Sequence, residues 1–124
     1  LGLLTTKRDF NYITNTTDGI ISLIKSKKTS GNVYNIGYGK NISINELIKL
    51  IKKITKTEFT VVKDSRKIRP PKSEVDELLC DISKIEKLNN FKPKVDLEKG
   101  LILTYEWFKK NSHYYNNLLE KKYF

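Results

Sequence analysis

A chain of 124 residues with 38% hydrophobic content suits one compact unit with an apolar core. One cysteine and one histidine exclude an internal disulfide framework and a zinc cluster, and no apolar run approaches the ~20 residues that a membrane span requires. The formal net charge is +10, yet the lysines are scattered over the polar sides of amphipathic segments beside many Asn and Ile. That distribution predicts solvated faces first, a small polyanionic ligand second, and nucleic acid last, because a nucleic-acid reader would interleave its basic face with aromatic or glycine-rich elements.

The predicted elements alternate between strand and helix. "KRDFNYI" (7–13) is rich in aromatic and β-branched residues and reads as a strand. "TNTTDG" offers several helix caps before a short helix carrying Ile20, Ile21, Leu23 and Ile24, and the lysines of "KSKKTSGN" suit its C-terminus. "NVYNIG" reads as a second strand. Ser43 and Glu46 form an S-x-x-E capping box, and Ile44, Leu47, Ile48, Ile51 and Ile54 make the apolar stripe of the helix it opens. "EFTVV" (58–62) reads as a third strand, and "RKIRPPKSEVDE" as a loop, since successive prolines bar a helix. Cys80 lies in the apolar run "ELLCD" and is expected to be a buried, reduced thiol. Asp81 is expected to cap a helix at "ISKIEKLNN" that ends in a left-handed Asn89 or Asn90. Asp96 is expected to cap a last helix with Leu97, Leu101, Tyr105 and Phe108 facing inward. The class is α/β.

Two short patterns invite a catalytic reading. "YNIGYGKNISINEL" sets Gly-x-Gly between a strand and a helix, as a dinucleotide-binding turn does, but the third small position is Ile42 and no acidic residue ends the next strand at the right distance. A tight turn that needs glycine for positive φ is the better reading. "YEWFK" contains the Tyr-x-x-x-Lys spacing of Tyr105 and Lys109, but Tyr105 belongs to the apolar stripe, so it is expected to pack in the core.

Four stretches in order, "RDFNYITNTTDGI", "VYNIGYGKNISINEL", "RPPKSEVDELLCDISKIEKL" and "FKPKVDLEKGLILTYEWFKKN", resemble the C-terminal, substrate-binding portion of the extended short-chain dehydrogenases. This is the NAD-dependent epimerase/dehydratase family acting on nucleotide sugars, and the likeness is closest to bacterial 4,6-dehydratases. It implies a fragment over residues 1–111 followed by a tail at 112–124, from a cytoplasmic, homodimeric parent that binds NAD through an N-terminal Rossmann half not represented here. Such relatives oxidise C4 of the sugar, eliminate water across C5–C6 and return the hydride. No catalytic, cofactor-binding or metal-binding residue of theirs maps onto this chain, which alone is expected to be inactive. A chain without a single Met is likewise expected to begin inside something longer.

The resemblance does carry over substrate contacts. It implies Arg8 of "RDF" on the nucleotide diphosphate, Phe10 near the base or ribose, Arg69 of "RPP" as the second diphosphate ligand, and Glu74 on the ribose hydroxyls. Only three arginines occur among the 24 basic residues, Arg8, Arg66 and Arg69. A guanidinium meets phosphate oxygens bidentately where an ammonium cannot. A solvent-exposed strand residue for Arg8, an ion pair to Asp64, Asp76 or Glu77 for Arg69, and a core aromatic for Phe10 are the structural alternatives. At the level of the whole protein the alternatives are a 4-epimerase or decarboxylase on the same scaffold, or a free-standing basic module binding nucleic acid. Severed from its partner half, the "DGIISLIKSKKTSGNVYNIG" segment would expose apolar surface and an unpaired edge, which predicts self-association.

Overall fold

A computed structural model describes residues 1–62, 64–67 and 74–113. The element order is β1 (Lys7–Arg8), α1 (Ile13–Lys25), β2 (Ile42–Ser43), α2 (Ile44–Thr55), a 3-10 turn (Ser65–Lys67), β3 (Glu77–Leu78), α3 (Ser83–Asn89) and α4 (Leu97–Lys110). The three short strands form one mixed sheet in the order β2-β1-β3. Strand β1 lies antiparallel to β2, with Lys7 opposite Ser43 and Arg8 opposite Ile42. It lies parallel to β3, with Lys7 opposite Glu77 and Arg8 opposite Leu78. The architecture is therefore small, mixed α/β, as the alternating pattern predicts.

The helix ends follow local chemistry. Ser43 Oγ accepts the Glu46 N–H at 3.2 Å while Glu46 returns a carboxylate oxygen to the Ser43 N–H at 2.8 Å, completing the capping box of α2. The same hydrogen bonds, from side chain and backbone, hold the Glu46 carboxyl below its ordinary pKa. Asp96 accepts the Lys99 N–H at 2.8 Å to cap α4. The N-cap of α3 is Ile82, without a side-chain cap, instead of the expected Asp81, which sits one residue earlier and accepts the Ser83 N–H at 2.9 Å; Asn90 closes that helix with φ at 52°. Leu97 and Leu101 line a small cavity with Leu47 of α2, and Tyr105 and Phe108 line another with Ile51 and Ile54. The apolar stripes of α2 and α4 thus face each other.

The strands depart from expectation. Pairing of β1 stops at Arg8, and α1 begins at Ile13, so "TNTTDG" lies inside the helix instead of before it. Its threonines are tolerated because the hydroxyls turn back on the helix: Thr17 Oγ1 donates to the Thr14 carbonyl at 3.0 Å. Neither "NVYNIG" nor "EFTVV" forms a ladder among the described residues. Among the described residues the strand-like exchange around Val62 is with the first residue, Leu1 N donating to Val62 O at 2.8 Å and Asp64 N to Leu1 O at 2.9 Å. One partner residue is too few for a strand. Conversely, the loop predicted through Glu77 ends in β3, because Lys7 N donates to Asp76 O at 2.7 Å and Asp9 N to Leu78 O at 3.1 Å.

Buried packing is sparse. Among the described residues, Ile85 and Phe91 are the buried large apolar side chains, accompanied by the polar Thr6 and Asn15. Asn15 is 1% exposed and fully used. Its Oδ1 accepts the N–H groups of Lys94 and Val95 at 2.9 and 3.0 Å, and its Nδ2 donates to Val95 O at 2.8 Å and Asn11 Oδ1 at 3.0 Å. This side chain therefore ties α1 to the segment leading into α4, a different task from the helix cap that its sequence position suggests. Asn15→Ala would leave two buried backbone N–H groups and one carbonyl unpaired, so it is expected to lower unfolding free energy by about 1–3 kcal/mol. A denaturant titration reads this as a lower midpoint at unchanged slope.

Candidate functional site

The central strand delivers Arg8 and Asp9 side by side to a cleft of about 370 Å³ that is also lined by Asn35, Leu78, Leu79 and Cys80. Leu79 and Cys80 also border a wider, more open cleft of about 790 Å³ whose wall includes Tyr38, Gly39 and Lys40. The two clefts adjoin along the chain that leaves β3.

Asp9 explains the Gly-x-Gly pattern. Its carboxylate accepts the Tyr38 N–H at 3.1 Å and the Gly39 N–H at 2.8 Å. Gly39 has φ at +78°, the left-handed conformation that glycine adopts without strain. At Gly37 a Cβ would collide with Cβ and Sγ of Cys80, so glycine is needed there for close approach. The turn is thus an anion-holding concavity of backbone N–H groups, filled by a carboxylate of its own chain. The tight-turn reading holds, and the charge that the turn grips is the feature the sequence did not announce.

Arg8 is one-quarter exposed. Its Nη1 donates to the Lys7 carbonyl at 2.7 Å, and its Nη2 lies 3.8 Å from Oε1 of Glu74. The structure thus brings Arg8 and Glu74 together. Phe10 goes elsewhere, lining a cavity of about 180 Å³ with Tyr12, Leu47, Leu97 and Leu101 between α2 and α4. Arg69 lies outside the described residues. Arg66 is committed to Asp64 by two parallel hydrogen bonds of 3.0 Å, which raise its pKa further. Glu77 accepts from Asn41 Nδ2 at 2.6 Å.

The Tyr-x-x-x-Lys pattern has a packing role. Tyr105 lines an apolar cavity with Ile51, Ile54 and Phe108, while Lys109 Nζ lies 5.5 Å from the centre of its ring and 3.7 Å from Glu106. Among the described residues no helix is long and apolar enough to cross a membrane, and no group of three His, Cys, Asp or Glu side chains is disposed to hold a metal ion.

Cys80 is half-buried, less enclosed than its apolar sequence surroundings predict. Burial pushes its thiol pKa up, and the nearby carboxylates of Asp9 and Asp81 push in the same direction. The thiolate is disfavoured at any given pH, so alkylation is expected to be slow. Its rate profile in the folded chain should be displaced to higher pH than in the urea-unfolded chain, as followed by iodoacetamide labelling and mass spectrometry. Coincident profiles would contradict this environment.

Comparison with known proteins fixes the family. The sequence model of the GDP-mannose 4,6-dehydratase family matches residues 1–104. An uncharacterized protein of Methanocaldococcus jannaschii is 36% identical over 109 residues, covering 85% of this chain and 31% of its own length. UDP-glucuronate 4-epimerase of Thermodesulfobacterium geofontis is 34% identical over 112 residues, covering 86% of this chain and 32% of the relative. The crystal structure of UDP-glucuronic acid 4-epimerase from Bacillus cereus, in complex with UDP-glucuronic acid and NAD, superposes with a TM-score of 0.72 at 30% identity, covering 89% of this chain and 34% of that one. The chain spans about a third of the length of the relatives it matches. It belongs to the GDP-mannose 4,6-dehydratase family, within the NAD-dependent nucleotide-sugar epimerases and dehydratases of the extended short-chain dehydrogenase type.

Proposed function

We propose that this chain is the substrate-binding part of an NAD-dependent nucleotide-sugar 4,6-dehydratase. The observation that carries the reading is Arg8, a guanidinium at the edge of a cleft with an acidic residue within ionic reach. Arg8 grips the diphosphate of the substrate, Arg69 supplies a second guanidinium and Glu74 accepts the ribose hydroxyls, while Phe10, which lines a separate apolar cavity, takes no part in this reading. Arg8 and Glu74 being neighbours suits the adjacency of diphosphate and ribose in one ligand. The family match favours a dehydratase. A 4-epimerase is the second reading, favoured by the 34% identity to UDP-glucuronate 4-epimerase.

Catalysis belongs, on this reading, to residues of the complete protein that precede this chain. NAD bound there supplies hydride acceptance and return, and the residues described here hold and orient the nucleotide end of the substrate. The coding sequence immediately upstream decides between the readings. An in-frame glycine-rich turn and Tyr-x-x-x-Lys are expected, with acidic groups for the elimination in a dehydratase and without them in an epimerase.

In the complete protein, Arg8→Ala and Arg69→Ala are each expected to weaken nucleoside diphosphate binding by about 1.5–3 kcal/mol, the range for hydrogen bonds to charged groups. Calorimetric titration with UDP, GDP and dTDP measures it. Unchanged affinity for all three in both variants would reject the assignment.

The reading also accounts for apolar surface left uncovered. On α1, Ile13, Ile20, Ile21 and Ile24 are 63%, 46%, 47% and 77% exposed, and Val33 beyond it is 83% exposed. This helix has its other side against the rest of the chain through Asn15 and Gly19, so it is built to lie between two layers. We assign its outer face to the Rossmann half of the complete protein. Expressed alone, the 124-residue chain is expected to self-associate, and a strictly monomeric species in light scattering at high concentration would contradict this.

A further inference from the structure

We infer that Glu74 is a built-in competitor for the Arg8 guanidinium, and that it makes the site select nucleoside diphosphates over bare pyrophosphate. The inference rests on the diphosphate role of Arg8 proposed above. Three observations lead to it. Nη1 of the guanidinium is already engaged by the Lys7 carbonyl, and Nη2 is the nitrogen that faces Glu74. Glu74 is only 13% exposed at its side chain, so its carboxylate is poorly solvated. The separation of 3.8 Å exceeds the ~2.7–2.9 Å of a charge-assisted hydrogen bond, so the pair attracts electrostatically without a directed bond.

The neighbouring acid does not share this role. Asp9 adjoins Arg8 in sequence and lines the same cleft, but both oxygens of its carboxylate accept backbone N–H groups from Tyr38 and Gly39. Its charge is already met by directed donors. Glu74 is the carboxylate within ionic reach of Arg8 among the described residues.

An incoming phosphate oxygen that forms a directed bond to the guanidinium displaces the loosely held carboxylate. Glu74 then faces an anion at short range while itself largely withdrawn from water, and this repulsion opposes binding. A nucleoside diphosphate brings ribose hydroxyls, which donate to the displaced carboxylate and relieve the cost. Pyrophosphate carries the same charged groups but no such donors, so it meets the repulsion without relief. The pair therefore converts a general attraction for phosphate into a requirement for a ribose attached to it.

The test is calorimetric titration of the complete protein and its Glu74→Gln variant with inorganic pyrophosphate and with UDP. Removing the charge is expected to tighten pyrophosphate binding about tenfold, the effect of one charge at a partly exposed site. UDP, which loses its ribose contacts as it is relieved of the repulsion, is expected to gain no such tightening, so its preference over pyrophosphate falls. Glu74→Ala, which removes the charge and the hydrogen-bonding end together, is expected to tighten pyrophosphate equally. Circular dichroism establishes that each variant is folded before titration. Pyrophosphate binding that is unchanged, weakened or undetectable in both variants while UDP still binds would overturn the inference and leave the nucleotide-sugar reading standing. UDP tightened as much as pyrophosphate would also overturn it, since no selectivity would reside in Glu74. Failure of the wild-type protein and both variants to bind either ligand would remove the nucleotide-sugar reading itself.

Discussion

The carboxylate of Asp9, gripped by the backbone N–H groups of Tyr38 and Gly39, is the joint on which the candidate site turns. It immediately follows Arg8, the last residue of β1, so fixing Asp9 fixes where the strand ends and where the guanidinium begins. The joint needs Gly39 in a left-handed conformation to aim both N–H groups inward, and Gly37 without a Cβ so that Cys80 can close against it. Three segments far apart in sequence, around residues 9, 38 and 80, thereby meet at one carboxylate. A concavity of this kind would suit a phosphate. Here the chain supplies its own anion, and the diphosphate role we propose belongs to the neighbouring arginine.

Polar joints of this kind matter because the apolar core is thin. Ile85 and Phe91 are the buried large apolar residues among those described, and many others stay exposed. Asn15 does for α1 and the 94–95 segment what Asp9 does for β1 and the glycine turn, saturating backbone groups across nearly eighty residues of chain. Surface ion pairs such as Lys53 with Glu98 across α2 and α4 add little, both partners being at least half exposed. Directed hydrogen bonds set the relative arrangement of the elements. Uncovered isoleucines on α1 leave one side of that arrangement unfinished.

The helices were legible in the sequence because their signals are local. The Ser43–Glu46 box, the Asp96 cap and the left-handed Asn90 each depend on residues within four positions, and the structure has all three. Strands depend on partners elsewhere in the chain, and there the sequence misled: "NVYNIG" and "EFTVV" have strand composition but no ladder, while Glu77 and Leu78 pair from within a stretch read as loop. Tyr12 begins α1 without a side-chain cap, so nothing local marked that boundary, and the helix takes in threonines that looked like turn formers. At the site, Arg8 was nominated by the likeness of "RDF" to the family and by the scarcity of arginine, and the structure places it at the edge of a cleft beside Glu74. Its pairing with Glu74 could not be read from a separation of 66 positions, nor could the grip of the glycine turn on Asp9.

The net charge of +10 would by itself draw any polyanion toward this surface. Such attraction is weak in specificity, because exposed lysines separated by more than a Debye length of about 8 Å act almost independently at physiological salt. Discrimination has to come from groups whose geometry is fixed before the ligand arrives. On the proposed reading Arg8, with one nitrogen on the Lys7 carbonyl, and the largely enclosed Glu74 are the groups partly arranged in advance. An ammonium at position 8 would keep the charge and lose the plane, offering a diphosphate a point to approach in place of a fork to fit. The use of arginine at the end of β1 in a lysine-rich chain is therefore an argument about shape, and on the role we infer for Glu74 the acid opposite it turns that shape into a choice between ligands of equal charge.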